Sequence, residues 1–224
     1  MKPFQSLGKR IDPEIIESFE IVWDYLGLPG SWWTGEQRIA IASEVRKSNP
    51  RKLWENVGKL EDYAKDSDEI LSPYVKAVAR MVANETSKIN QHIYDQVIAS
   101  IGEGEYAELA AVVSQIVAID QLCDALGIER EKLPTPKEGK PTLERPDELV
   151  TGVAFLPTFA ADKLPHVAVS LSLAQADNAR RMLLVRAMYS GSSFGEMIWE
   201  HRDLSRPQIE LVAARTSALN ECFY

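Results

Sequence analysis

The sequence predicts an all-α protein, and three observations carry that prediction. Helix-opening signals recur along the chain, at Asp12-Pro13, Thr34-Gly35-Glu36-Gln37, Pro50, Ser72-Pro73 and Ser205-Arg206-Pro207-Gln208. Apolar residues return at three- and four-residue intervals behind these signals. No stretch shows the sustained alternation bounded by turns that strands need.

The elements follow in order. Pro13 occupies a first-turn position, where its missing N–H costs little. Ile15, Ile16, Phe19, Val22, Trp23 and Leu26 then form one apolar face until Gly27 ends the run. Thr34 and Gln37 have the spacing of a reciprocal cap, the threonine bonding forward and the glutamine back. Pro50 opens a segment through Trp54, Val57 and Leu60, and Ser72-Pro73 opens one through Val75, Val78, Ala79 and Val82. Ile89, Ile93, Val97 and Ile101 continue the pattern. A long helix is predicted over 105–126, carrying Leu109, Val112, Val113, Ile116 and Leu122 and closed by Gly127. Cys123, beside Leu122 and near Ile119 and Leu126, is expected to be a small buried hydrophobe of that helix.

Between Ile128 and Val150, Pro134, Pro136, Pro141 and Pro146 are interleaved with charged side chains. Prolines at that density cannot form a helix interior. The segment is expected to lie extended on the surface as a strap, a loose tether being the alternative. Helical patterns return over 166–174, 176–189 and 194–202. The chain thus divides into an N-terminal helical half, 1–127, the strap, 128–150, and a C-terminal part, 151–224. The cap chemistry at Thr34 recurs at Ser205, and aligning the two places Ile41 on Val212 and Ala42 on Ala213. Either two related halves share one plan, or two capped amphipathic helices look alike.

Composition narrows the functional classes. The 224 residues include 33 acidic and 25 basic side chains, a net charge of −8, and 45% are apolar. These values fit a globular chain rather than a disordered one. The acidic balance argues against nucleic acid as a partner, because a phosphate lattice calls for a clustered basic face. No run of about 18 to 20 apolar residues is present to suggest a membrane span. The N-terminus lacks the apolar stretch of a secretory signal, so a cytoplasmic location is expected.

Two cysteines, Cys123 and Cys222, exclude a disulfide framework. His92, His166 and His201 are scattered and form no paired ligand motif, so no metal is expected; Glu196, Glu200 and His201 fit a solvated helix face. Gly102-Glu103-Gly104-Glu105-Tyr106-Ala107 loosely matches a dinucleotide-binding pattern. It follows a helix rather than a strand, and its glutamates would repel pyrophosphate, so no cofactor is expected.

The terminal stretch from Gln208 to Tyr224 resembles the alkylhydroperoxidase-like, carboxymuconolactone decarboxylase superfamily. Its peroxidase motif is a glutamate, eleven residues, then C-x-x-C-x-x-x-H. Glu210 and Cys222 have the separation of that glutamate and first cysteine, and Asn220-Glu221-Cys222-Phe223-Tyr224 is typical wording before the second. Trp33-Thr34-Gly35 through Arg46, the helix around Ala107-Glu108-Leu109 and the proline-rich strap look like the longer, duplicated members. The resemblance implies an alkylhydroperoxidase-like helical bundle of two related halves, assembled as a homo-oligomer. It also implies an antioxidant protein that reduces a peroxide substrate through a dithiol reset by a thiol or dithiol reductant.

On that resemblance Cys222 is the resolving thiol and Glu210 part of the proton relay. In the complete motif a glutamate–histidine relay deprotonates the attacking thiol, and the neighbouring cysteine condenses with the sulfenic acid. The second cysteine and the histidine would fall at positions 225 and 229, so the motif is incomplete within the 224 residues. The polypeptide is expected to continue, or to be a truncated copy whose inward face another subunit covers. Val212, Ala213, Leu219, Phe223 and Tyr224 accordingly suggest a buried helix still in progress. In the first half the repeat alignment puts Ile39 and Arg51 where the glutamate and cysteine would stand. By spacing alone Glu210 and Cys222 would be a surface carboxylate and a buried thiol. The alternative function is a non-catalytic helical oligomerisation or binding module.

Overall fold

The helix starts expected at Pro13, Thr34-Gly35, Ser72-Pro73 and Ser205-Arg206 are helix starts in the structure, a computed structural model that describes residues 3–8, 11–47, 70–161, 165–190 and 203–222. The segment opened by Pro50, the pattern over 194–202, and Arg51, Glu196, Glu200, His201, Phe223 and Tyr224 lie outside those residues.

The helices are α1 (Pro13–Leu26), α2 (Gly35–Lys47), α3 (Pro73–Asn84), α4 (Gln91–Ile101), α5 (Glu103–Ala125), α6 (His166–Val169), α7 (Gln175–Val185) and α8 (Arg206–Leu219). Their caps are the local ones the sequence suggests. Asp12 Oδ1 accepts from the Glu14 N–H at 2.9 Å. Thr34 and Gln37 bond reciprocally, at 3.0 and 3.2 Å. Ser72 Oγ accepts from the Val75 N–H at 3.3 Å. At α8 the Ser205 N–H and hydroxyl both donate to Gln208 Oε1, at 2.8 and 2.9 Å. The fold is all-α; extended pairing among the described residues is confined to one antiparallel bridge between Val150 and Thr158.

α5 is the axis of the bundle. α2, α3, α4 and α7 pack against it, and α1 lies against α2, α5 and α7. Its buried Leu109, Val112, Ile116 and Ile119 join Phe19, Val22, Leu26, Ile41, Val78 and Leu173 in one apolar core. With 23 residues α5 is long and apolar enough to cross a bilayer by length and composition, but it is mostly buried inside the bundle. It begins two residues earlier than expected. Gly102, at φ 93°, turns the chain into it, and Gly104 lets the Trp32 ring lie directly on the helix. A Cβ at Gly104 would stand 2.2 Å from Trp32 Cε2, which accounts for the second glycine of the loose dinucleotide-like pattern.

Residues 128–149 form no helix and run along the α1–α2 connection. The N–H groups of Lys137 and Leu143 donate to the carbonyls of Gly27 and Ser31, both at 2.8 Å, and Thr142 N–H donates to Gly30 O at 3.3 Å. Trp23 Nε1 donates to Lys132 O at 2.9 Å. Gly35 sits under this contact, where a Cβ would meet Gly27 O at 2.2 Å and Lys137 O at 2.8 Å.

α8 departs from expectation. It was expected to be buried and unfinished, but none of its residues is buried. It ends at Leu219, because Asn220 takes up the C-cap and Glu221, at φ 52°, turns the chain away. The residues aligned between the two capping boxes do not share an environment. Ile41 is fully buried in the core, whereas Val212 is 59% exposed.

Candidate functional site

Cys222 follows the turn that closes α8, its N–H donating to Ser217 O at 2.9 Å. Its thiol is exposed, contrary to the buried thiol that spacing alone suggested. It sits at the edge of an open groove of about 900 Å³. One wall is the end of α3 and the turn after it, with Val82, Ala83, Asn84 and Glu85; the other is α5, with Ala110, Val113 and Val117. The end of α8 closes the third side with Thr216, Leu219 and Glu221. A concavity of this size with apolar walls and a few polar groups has the dimensions of a ligand or docking site.

The turn carrying Cys222 is tethered by charge. Glu221 accepts from Lys88 Nζ in a short ion pair and from Ser87 Oγ at 3.3 Å. The Lys88 hydrogen bond holds the exposed Glu221 carboxyl below its ordinary value.

Glu210 is not beside Cys222. It lies in the second turn of α8, accepts from Tyr189 Oη at 3.1 Å and approaches Arg206 at 3.8 Å. Nine further residues of helix, about 14 Å of rise, separate it from Leu219, and Cys222 lies beyond that. Within one chain the carboxylate and the thiol therefore belong to opposite ends of α8.

No family model, curated protein or solved structure matches the chain. The roles of its residues rest on the chemistry of their surroundings.

Cys123 is the second thiol, and its setting is that of a core residue. It is 1% exposed on α5, within a cluster in which Arg46 grips Asp120 through two hydrogen bonds of 2.8 Å. Arg130 grips Asp124 nearby at 2.9 and 2.5 Å. Burial, and then the carboxylates of Asp120 and Asp124, push the Cys123 thiol above its ordinary pKa, the opposite of what a reactive thiolate needs. His92 and His166 are exposed, and among the described residues no group of histidine, cysteine and carboxylate side chains could hold a metal ion.

Sequence reasoning missed a polar cluster at the centre of the bundle. Arg38 of α2, Glu108 of α5 and Asp177 of α7 are all fully buried. Arg38 Nη1 and Nη2 donate to the two carboxylate oxygens of Asp177 at 2.9 and 2.8 Å, and Nη1 also makes a short ion pair with Glu108 Oε1. Nε donates to Leu26 O at 3.2 Å. Glu108 Oε2 accepts from the Trp32 N–H at 2.6 Å, and Gly30 makes room, since a Cβ there would lie 1.9 Å from Glu108 Oε1. The Tyr25 ring is stacked by Arg38, at 4.8 Å, and by Arg180, at 3.5 Å.

One cation thus serves two carboxylates in a buried setting. Burial would depress the Arg38 pKa, but Asp177 and then Glu108 hold it above its ordinary value. Burial raises the Glu108 carboxyl above its ordinary value; Arg38 opposes the rise and Asp177 adds to it. The cluster is buried and joins three helices, so its part is structural. The signal that could have found it is a charge at a core phase. Arg38 precedes the buried Ile41, Ala42 and Val45 at three-, four- and seven-residue spacing, and Asp177 precedes Leu184 by seven.

Proposed function

We propose that this chain is an alkylhydroperoxidase-like antioxidant protein of the cytoplasm, with Cys222 as its resolving thiol. The observation that carries the reading is the contrast between the two cysteines: Cys222 is exposed at the mouth of a groove, and Cys123 is sealed in the core. In the step assigned to Cys222, its sulfur attacks the sulfenic acid formed when a peroxide oxidises a second thiol. The S–S bond forms, the S–O bond breaks, and the hydroxide leaves as water with the proton given up by Cys222. A thiol or dithiol reductant returns the disulfide to two thiols. Glu210, about 14 Å of helix away, acts only through an intervening relay group such as the motif's histidine. Two related halves and assembly with further copies belong to the same proposal.

Peroxide consumption with a dithiol reductant tests the reading. The 224-residue chain, holding one accessible thiol, should show no sustained turnover. A chain carrying Cys at position 225 and His at 229 should turn over and lose activity with Glu210→Gln or Cys222→Ser. Sustained turnover by the 224-residue chain that disappears with Cys222→Ser would make Cys222 the attacking thiol instead. An inactive extended chain, across several peroxides and reductants, would favour a non-catalytic helical oligomerisation or binding module. That second reading has its own support in α8, none of whose residues is fully buried.

A further inference from the structure

The end of α8 has a shape that its own residues do not favour. Cys222 N–H donates to Ser217 O at 2.9 Å and Glu221 N–H to Ala218 O at 3.3 Å, the two crossed bonds that close a helix around a left-handed residue. That left-handed place is normally glycine's, because a Cβ there crowds the following carbonyl. Here Glu221 holds it, at φ 52°. What glutamate brings is its side chain. The carboxylate accepts from Lys88 Nζ in a short ion pair and from Ser87 Oγ at 3.3 Å, both on the turn after α3. Glycine would close the helix with less strain and make neither contact.

Little else ties this end of α8 to the bundle. No residue of α8 is fully buried, and no other described helix packs along its length. A helix in a globular protein is kept in place mainly by burying an apolar face. α8 instead leaves Leu211 71% and Val212 59% exposed, and Ala213 and Ser217 on its inner side are only part-buried. Its start is held by Tyr189 Oη, which donates to Glu210 at 3.1 Å. In this position Thr216, Leu219 and Glu221 close one side of the groove whose other walls carry Val82, Val113 and Val117. The Lys88 and Glu221 side chains are 39% and 51% exposed, and an ion pair so exposed is weak and screened by salt.

We propose that Glu221 and Lys88 form a latch, and that α8 is a lid on the α3–α5 groove. With the latch closed, the end of α8 shuts the third side of the groove and Cys222 stands at its edge. With the latch released, that end swings away about the Glu210 contact, carries Cys222 with it and uncovers the apolar walls. A glutamate in glycine's place is what such a latch requires, since only a side chain at the very end of the helix reaches Lys88 and Ser87. The latch concerns the position of the helix, so it holds whether or not Cys222 resolves a sulfenic acid.

Spin labels on Ala218→Cys and Glu17→Cys, in a full-length Cys222→Ser chain, test it through the distance between α8 and the outer face of α1. Both sites are exposed, and the remaining Cys123 is buried. This parent chain should show one main distance at low salt, and a second that grows as salt is raised to about 1 M. Lys88→Met should raise the second population about two- to fivefold at low salt and abolish its salt dependence. Glu221→Gly should do the same while keeping the helical circular dichroism, because glycine is the favoured residue at that turn. Lys88→Glu combined with Glu221→Lys should return the parent distribution. A distribution indifferent to both Lys88→Met and Glu221→Gly would overturn the proposal, as would equal salt responses in the parent and Lys88→Met. A charge exchange that keeps the native spectrum but not the parent distribution would overturn the latch, and so would a loss of helix in Glu221→Gly. Distances and peroxide turnover are read separately, so either proposal can fail alone.

Discussion

Arg38 and Asp177, 139 residues apart in sequence, meet as a fully buried pair joined by two hydrogen bonds. With Glu108 on the same guanidinium, the centre of the bundle holds two carboxylates and one cation. Removing the cation strands both acids. Arg38→Met should therefore cost about 3–5 kcal/mol in urea unfolding at neutral pH. The loss should shrink in acid, as the stranded carboxylates take up protons. A loss below about 1 kcal/mol would show that the cluster does not hold α2, α5 and α7 together.

Glu108→Gln should cost less, because it leaves Arg38 and Asp177 matched one to one. Burial holds the Glu108 carboxyl above its ordinary value of 4.5 in the folded chain. Its stabilising contribution is therefore present below that value and declines as pH rises through the folded pKa. Glutamine does not titrate, so the stability gap between wild type and Glu108→Gln should narrow as pH rises above 4.5. A gap that widens over that range would contradict the assignment.

A methyl group at Gly104 would press on a ring that cannot retreat. Trp32 is fixed by Nε1, which donates to Leu173 O at 2.8 Å, and by its backbone N–H on Glu108. Gly104→Ala should cost about 1–3 kcal/mol. Gly127→Ala, where a Cβ meets nothing within 4 Å and only the φ of 66° resists, should cost about 1 kcal/mol. Thermal melts of the two variants give the comparison, and equal losses would remove the steric argument.

These contacts mark what could be read from the sequence. The starts of α1, α2, α3 and α8 were legible because a cap is a local arrangement of a few residues, such as Thr34 with Gln37. The all-α class followed from the same signals and from periodicity. The Arg38 cluster was not legible because its members come from three helices, and a charge at a core phase does not name its partner. α8 was misjudged for a related reason. An apolar stripe shows that a helix has a face to cover, but not that the covering surface lies in the same chain. Cys222 was singled out by a resemblance and not by spacing, and its exposure depended on the turn at Asn220 and Glu221, outside any periodic pattern.

Tyr94 and Tyr106, stacked edge to face at 6.0 Å, are both pushed up by burial to about 12. Their folded pKa values lie above the unfolded one near 10, so their contribution is complete below pH 10 and is lost as pH rises toward about 12. Ultraviolet titration should show these two phenols among those ionising late, and the unfolding midpoint should fall over the same interval. Titration of every tyrosine near 10 would contradict the burial of this pair.

The two thiols should separate cleanly under alkylation. Cys222 should react in the folded chain and Cys123 only after denaturation, as read by mass spectrometry of the modified peptides. Cys123→Ala should cost about 1 kcal/mol through lost packing and leave any peroxide turnover nearly unchanged. Rapid native-state labelling of Cys123 would contradict its place in the core.

The spacing of the buried charges along the chain also orders their arrival during synthesis. Glu108 follows Arg38 by 70 residues, and Asp177 follows it by 139. At about 5–20 residues per second, several seconds pass between the appearance of the two acids. During that interval the charges made on α2 and α5 match one to one, with no surplus to bury. The ribosome thus delivers the neutral pair first. The second carboxylate arrives on α7, behind the strap, when most of the apolar enclosure that must receive it has already been made.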